Sequence, residues 1–144
     1  MVPLTYITFT ALLMIAGLHI AWGLGVLWPL KEERALVQAI AGFSGVEKMP
    51  PAAASLLVAA LVLVAAMIAL DLGKIGDLFP HSITIAGGVA VSAVFLGRAI
   101  LGCTPFWSTL TPEQPFRRLD TVFYTPLCFA LGGNFSILTW SYVF

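Results

Sequence analysis

Apolar positions along the chain gather into four long runs, at about residues 5–28, 52–70, 83–101 and 121–142, with polar and charged positions confined mostly to the stretches between them. None of the runs alternates with the period of a strand. Each is near the ~20 residues that a helix needs to cross the hydrocarbon core of a bilayer. Lipid offers the backbone no hydrogen-bond partners, so helix is the expected form of each span. The intervening residues supply the punctuation. Trp28-Pro29 closes the first run, and Met49-Pro50-Pro51 opens the second, proline being well tolerated in a first helical turn. Asp71-Leu72-Gly73 closes the second run, with Gly73 expected as a left-handed cap. The pattern predicts an all-α integral membrane protein: a four-helix bundle of antiparallel, up-down spans making a single transmembrane domain over residues 1–144.

Composition sharpens this reading. Charged residues make up 10% of the 144 and hydrophobic residues 60%, against ~25% charged in a soluble domain. Formal net charge is +0, and no clustered basic face is present, which excludes nucleic acid as the expected partner. The N-terminus lacks the Lys or Arg that would precede the apolar core of a cleavable signal peptide. Loop one holds Lys31, Arg34 and Lys48, and loop three holds Arg117 and Arg118, whereas the opposite side of the bundle holds only Lys74. By the positive-inside rule, loops one and three face the cytoplasm and both termini lie outside, as a multi-pass protein of a bacterial inner membrane. In loop one, Lys31 to Arg34 is charged and Leu36, Val37 and Ile40 follow. That order suits either a short interfacial helix or a solvated loop. Thr111-Pro112-Glu113-Gln114 in loop three has capping-box spacing, cut short by Pro115.

Two ionisable residues fall inside apolar runs, Arg98 in the third and His19 in the first. Such groups are costly in lipid and usually face a protein interior or a wet cavity. With the first span ending near Trp28, His19 is roughly 14 Å inside it, whereas Arg98 is about one turn from the end of the third. Trp22 shares a helix face with His19. Asp120 and Tyr124 open the fourth span one turn apart. All five belong to the half of the bundle that adjoins loops one and three, and His19, Trp22, Arg98, Asp120 and Tyr124 are the expected lining of one ligand-binding pocket there. Pro126 either kinks the fourth helix or follows a Thr125 cap as its first residue. Ala86, Ala90, Ala93 and Gly97 form a small-residue stripe on the third span, expected at a helix–helix contact, with Gly132-Gly133 as a second close approach.

His19-x-x-Trp22, Arg98 near the end of the third span, and Arg118-x-Asp120-x-x-x-Tyr124-x-Pro126-Leu127-Cys128 opening the fourth resemble the small four-span bacterial family called "domain of unknown function 3995". The match runs in span order over nearly the whole chain, and its last motif is the most specific. Thr125 stands where the family often has Ser, which keeps the hydroxyl. The resemblance implies a four-helix membrane protein. It implies no activity, and no catalytic residue comes with it.

Each residue also has a plainer role. Arg98 either snorkels to the interface or pairs inside the bundle, with Asp120 at matching depth as its partner. Asp120 alone reads as a helix N-cap. His19 is a hydrogen-bonded core residue, a ligand contact or a proton carrier. Trp22 packs, or aims its indole donor at a ligand, and Tyr124 alone reads as an interface anchor. His81 lies in loop two, on the opposite side, so no second intramembrane histidine completes a bis-histidine site, although a single axial ligand from His19 suffices for haem or chlorophyll. Cys103 and Cys128 read as free thiols, without the spacing of a metal or redox motif. No nucleophile-elbow, zinc-protease or phosphate-loop motif occurs. Three functions fit: a binding or accessory subunit of a membrane complex, holding a small apolar or anionic ligand; a small enzyme acting on a lipid or quinone-like substrate with His19 as acid/base; or a transporter or channel subunit, as a homo-oligomer. The residues name no cofactor and point to no metal.

Overall fold

The computed structural model describes residues 1–144 and is helical throughout. In chain order the helices are α1 (Val2–Gly23), α2 (Glu33–Ile40), α3 (Ala52–Leu72), α4 (His81–Gly102), α5 (Pro105–Leu110), α6 (Phe116–Leu119) and α7 (Thr125–Val143). A π-helical turn over Asp120–Tyr124 joins α6 to α7. Four helices are long and apolar enough to cross a membrane: α1, α3, α4 and the continuous helix Phe116–Val143. Prolines mark the starts. Pro51 and Pro80 precede α3 and α4 in extended conformation, and Pro105 begins α5, where its missing N–H costs nothing.

The four spans form two tight antiparallel pairs, α1 with α3 and α4 with α7. Glycines permit the close approach. A Cβ on Gly73 would press on Thr5, and one on Gly23 would lie 2.8 Å from Leu56. The start of α1 therefore packs on the end of α3, and its end on the start of α3. In the second pair, Gly88 meets Thr139, and a Cβ on Gly132 would reach Leu96 at 2.7 Å. Ser92 adds hydrogen bonds to the Gly132 carbonyl at 2.9 Å and to Ser136 at 2.7 Å. The pairs meet mainly in the half nearer loop two. There Leu12, Ala65, Ala66, Ile68, Ala69, Leu72, Leu131, Phe135 and Leu138 make the core. Asn134 Nδ2 crosses to Thr8 Oγ1 at 3.0 Å. Burying the larger of these side chains is worth about 1.5–3 kcal/mol each against water. Against lipid the gain is packing and dispersion instead.

Several local expectations are corrected. The first helix ends at Gly23, not near Trp28: Gly23-Leu24-Gly25 unwinds it, and Gly25 has φ +82°. Those residues are apolar enough to hide the break in the hydropathy pattern. Gly73 is right-handed, and the left-handed position falls one residue later on Lys74, at φ 56°. Gly73 is needed for space beside Thr5, not for its conformation. Loop two closes by a different device. Buried Asp71 accepts from the amides of Leu78 and Phe79 at 3.0 and 2.8 Å. The stripe Ala86, Ala90, Ala93 and Gly97 faces outward. The close-packed face of α4 is instead Thr84, Gly88, Ser92, Ala99 and Gly102. Glu113 does not cap its own segment. Its Oε1 accepts from the Gly45 amide in loop one at 2.9 Å.

Of the two alternatives at Pro126, the structure has the continuous helix and not a separate one starting there. The helix runs through it, and the turn before it widens so that the Thr125 amide bonds back to the Asp120 carbonyl. A π turn of this kind absorbs an extra residue and shifts the hydrogen-bond register where proline cannot donate. Loop one does contain a helix: α2 buries Leu36 and Val37 completely against the bundle.

Candidate functional site

Away from the core, towards loops one and three, α1 diverges from α7. The gap is roofed by α2 and the loop after it, and by α5 and α6. Tyr124 Oη donates to the Ala39 carbonyl at 3.0 Å, and Phe43 meets Trp107 edge-on with ring centroids 6.2 Å apart. These contacts and the Glu113–Gly45 bond clamp the two loops together. Beneath them lies a cavity of about 460 Å³, within the range of small-molecule sites.

Arg98 reaches the cavity wall from α4, one turn before the helix ends at Gly102. Its Nη2 donates to Asp120 Oδ1 at 2.6 Å. Asp120 is completely buried, whereas the Arg98 side chain is 27% exposed. Trp107 Nε1 donates to the other carboxylate oxygen, Oδ2, at 2.8 Å. Thr125 Oγ1 donates to Oδ1 at 3.3 Å. The guanidinium lies 4.6 Å from the Trp107 ring centre, in cation–π range. Three donors, one of them the cation Arg98, thus converge on one carboxylate, forming a knot. Thr104 makes Trp107 available: its hydroxyl caps α5 by accepting from the Trp107 amide at 3.2 Å, which fixes the turn that carries the indole. Gly102 leaves room for the knot, since a Cβ there would press on Thr125 Oγ1 and Arg98 Nη1.

His19 and Trp22 form the facing wall on α1, their rings edge-to-face at 5.1 Å. His19 Nδ1 lies 2.9 Å from the Ile15 carbonyl. A carbonyl only accepts, so Nδ1 carries a proton, and in the neutral imidazole Nε2 keeps its lone pair. Nε2 has no hydrogen-bond partner within the protein. Trp22 does not offer its indole N–H to the cavity, because that N–H donates to the Trp28 carbonyl at 2.8 Å, folding the chain back after α1. With α1 ending at Gly23, His19 stands one turn from its helix end, as Arg98 does. The deeper placement expected for His19 is corrected.

Four of the five residues singled out from sequence therefore share the cavity: His19, Trp22, Arg98 and Tyr124. Asp120 lies behind Arg98, out of reach. The lining is overwhelmingly apolar, with Phe43, Phe95, Trp107, Phe116 and Phe123 among it. The sequence reading missed Trp107. Its signal was Thr104-Pro105, a helix start that places an indole beside the end of α4. Cys128 also lines the cavity and Cys103 is exposed, and both thiols are free.

The family described as "Protein of unknown function (DUF3995)" matches residues 12–135. The chain belongs to this family. No curated protein and no solved structure matches it. The segment shared with DUF3995 runs between two fully buried core residues, Leu12 and Phe135. It takes in every residue of the knot and of the cavity. Membership in DUF3995 carries no reaction, so function rests on the chemistry of the site.

Proposed function

We propose that the protein is a membrane-embedded binding protein, working as a small-ligand-holding or accessory subunit, whose cavity between the two helix pairs takes a small apolar molecule. The observation that carries this is the cavity's chemistry: an apolar, aromatic-rich lining with His19 Nε2 unpartnered and one cation, Arg98, whose charge Asp120 already meets. In this reading the cavity belongs to the cytoplasmic half, with both termini outside a bacterial inner membrane, as the Lys and Arg bias of the loops indicates.

Enzymatic use of the same residues has less support. General acid–base chemistry on a lipid or quinone-like substrate would draw a second proton-handling group from the cavity wall, where the Tyr124 hydroxyl is held by the Ala39 carbonyl. Asp120, the one carboxylate nearby, is enclosed and accepts three hydrogen bonds. A transporter subunit has support only from the number of spans.

The test is native mass spectrometry of protein extracted from its own membranes in a mild detergent, with organic extraction of whatever stays bound. A bound small molecule is expected for the wild type and lost in Cys128→Phe, which fills the cavity. Wild-type protein free of any adduct at every detergent stringency, or adducts equally abundant in Cys128→Phe, would overturn the proposal. Pull-down from the same extract tests the accessory role, which fails if the protein always elutes alone.

A further inference from the structure

The cavity does not end at Tyr124. A second space of about 450 Å³ shares Leu18, Trp22, Ile40, Phe123 and Tyr124 with the first and continues outward to Trp28 and Leu119. No charged side chain lines it. Trp28 is 64% and Phe123 58% exposed, so this space reaches the outer surface between the chain after α1 and the segment from Leu119 to Phe123. In a bilayer that surface meets lipid or the interface, because α1 and Phe116–Val143 are both spans.

The inner and outer of these adjoining spaces differ chemically. At the inner end, His19 Nε2 is an unpartnered acceptor, and the Arg98 charge is cancelled by Asp120. A carbonyl or ether brings no proton to Nε2, whereas a hydroxyl does. An anionic head would meet a guanidinium whose charge Asp120 already neutralises and whose one unpartnered nitrogen, Nη1, is enclosed by protein. At the outer end only apolar surface is offered. We infer that the occupant is a neutral, single-chain lipid with a hydroxyl head. The hydroxyl donates to His19 Nε2, and the chain passes Tyr124 into the second space and emerges between Trp28, in the chain after α1, and Leu119 of α6. This inference rests on the cavity being a ligand site and adds the ligand's polarity, its hydroxyl donor and its direction of entry.

The test uses the full chain with Cys103→Ser, in phosphatidylcholine nanodiscs, so that Cys128 is the single thiol and sits in the inner space. Maleimide labelling of Cys128 is timed with farnesol, with farnesyl methyl ether, which lacks the donor, and with 3-methylphenol, which has a head but no chain. Farnesol is expected to slow labelling. The ether should need about fivefold more for the same protection, the worth of one hydrogen bond of ~1 kcal/mol. His19→Ala should erase the difference between alcohol and ether. Leu119→Trp, which fills the outer space, should weaken farnesol and leave 3-methylphenol unchanged, and Leu30→Trp, on another wall of that space, repeats the test should the first variant not fold. Equal protection by alcohol and ether overturns the hydroxyl assignment. Farnesol protection untouched by both outer-space variants overturns the chain path. In either case the binding proposal stands, because a ligand still shields Cys128. Failure of all three compounds to shield Cys128 overturns the inference and the binding proposal together.

Discussion

Replacing Asp120 with alanine is expected to be among the most destabilising single changes in the protein. Its carboxylate is 0% exposed and accepts from Arg98 Nη2 at 2.6 Å, Trp107 Nε1 at 2.8 Å and Thr125 Oγ1 at 3.3 Å. Asp120→Ala leaves a guanidinium without its counter-charge and two further donors without an acceptor. Breaking a buried pair from one side typically costs about 3–5 kcal/mol. Arg98 retains 27% exposure and recovers some solvation through it, so the lower end, about 3 kcal/mol, is the expected loss. At roughly 3 °C per kcal/mol this lowers the thermal midpoint by about 10 °C. Circular dichroism at the helical minimum, followed on heating in nanodiscs, reads it without relying on Trp107 emission. Removing both charges is expected to be milder: Arg98→Met with Asp120→Leu leaves no isolated ion, and buried pairs exchanged for apolar residues are often near neutral. An Asp120→Ala midpoint within the equivalent of ~0.5 kcal/mol of wild type, the size of an ordinary surface change, would refute the reasoning. So would a double variant as unstable as the single.

Gly102→Ala should lose about 1–3 kcal/mol by pressing on Thr125 Oγ1 and Arg98 Nη1. Gly97→Ala, on the exposed face of the same helix with nothing within 4 Å, should gain about 0.5–1 kcal/mol; thermal melts of the two decide whether glycine on α4 is kept for space. Tyr124→Phe removes the bond to the Ala39 carbonyl and should loosen the roof by about 1 kcal/mol. That appears as roughly fivefold faster amide exchange in α2, with little change in α3. Asp71→Asn weakens the acceptor for Leu78 and Phe79 and should cost about 2 kcal/mol, the range for bonds to a charged group. Proteolysis in loop two should then precede global unfolding.

The spans were legible because hydropathy and proline act locally. Pro51 and Pro80 sit immediately before α3 and α4, so those helix starts could be read from the chain. The end of α1 could not, because Gly23-Leu24-Gly25 is as apolar as the helix it terminates. The inward faces were harder still. In water an apolar stripe marks the core, but in lipid both faces are apolar, and the hydropathy of α4 distinguishes neither. Small size alone selected Ala86, Ala90, Ala93 and Gly97, which face out. The buried face was marked by hydroxyls and glycine together, at Thr84, Gly88 and Ser92. Arg98, Asp120, His19 and Tyr124 were found because ionisable and hydroxyl groups are rare in such runs. Their division of labour was not visible, because it depends on Trp107. That indole reaches Asp120 only through the turn that Thr104 caps, a tertiary contact with no local spacing rule.

That division of labour changes what the rarest charge in the chain is for. An arginine inside an apolar run suggests a hook for an anionic ligand. Here the guanidinium is held on two sides, by the Asp120 carboxylate and by the Trp107 ring. It has little freedom to swing towards a ligand, and doing so would leave Asp120 buried without its cation. The knot is better suited to fixing a wall. It ties the end of α4 to the π turn before α7 and to α5, so three segments move together where the helix pairs separate. An open space between helices has no apolar driving force of its own in lipid. A charge-neutral ion pair at its edge, with Arg98 Nη1 enclosed but unpartnered, gives that space a boundary without giving it a net charge. In the proposed binding role, selectivity then falls to His19, whose Nδ1 is bound to its own helix and whose Nε2 has no partner within the protein, in a largely apolar cavity.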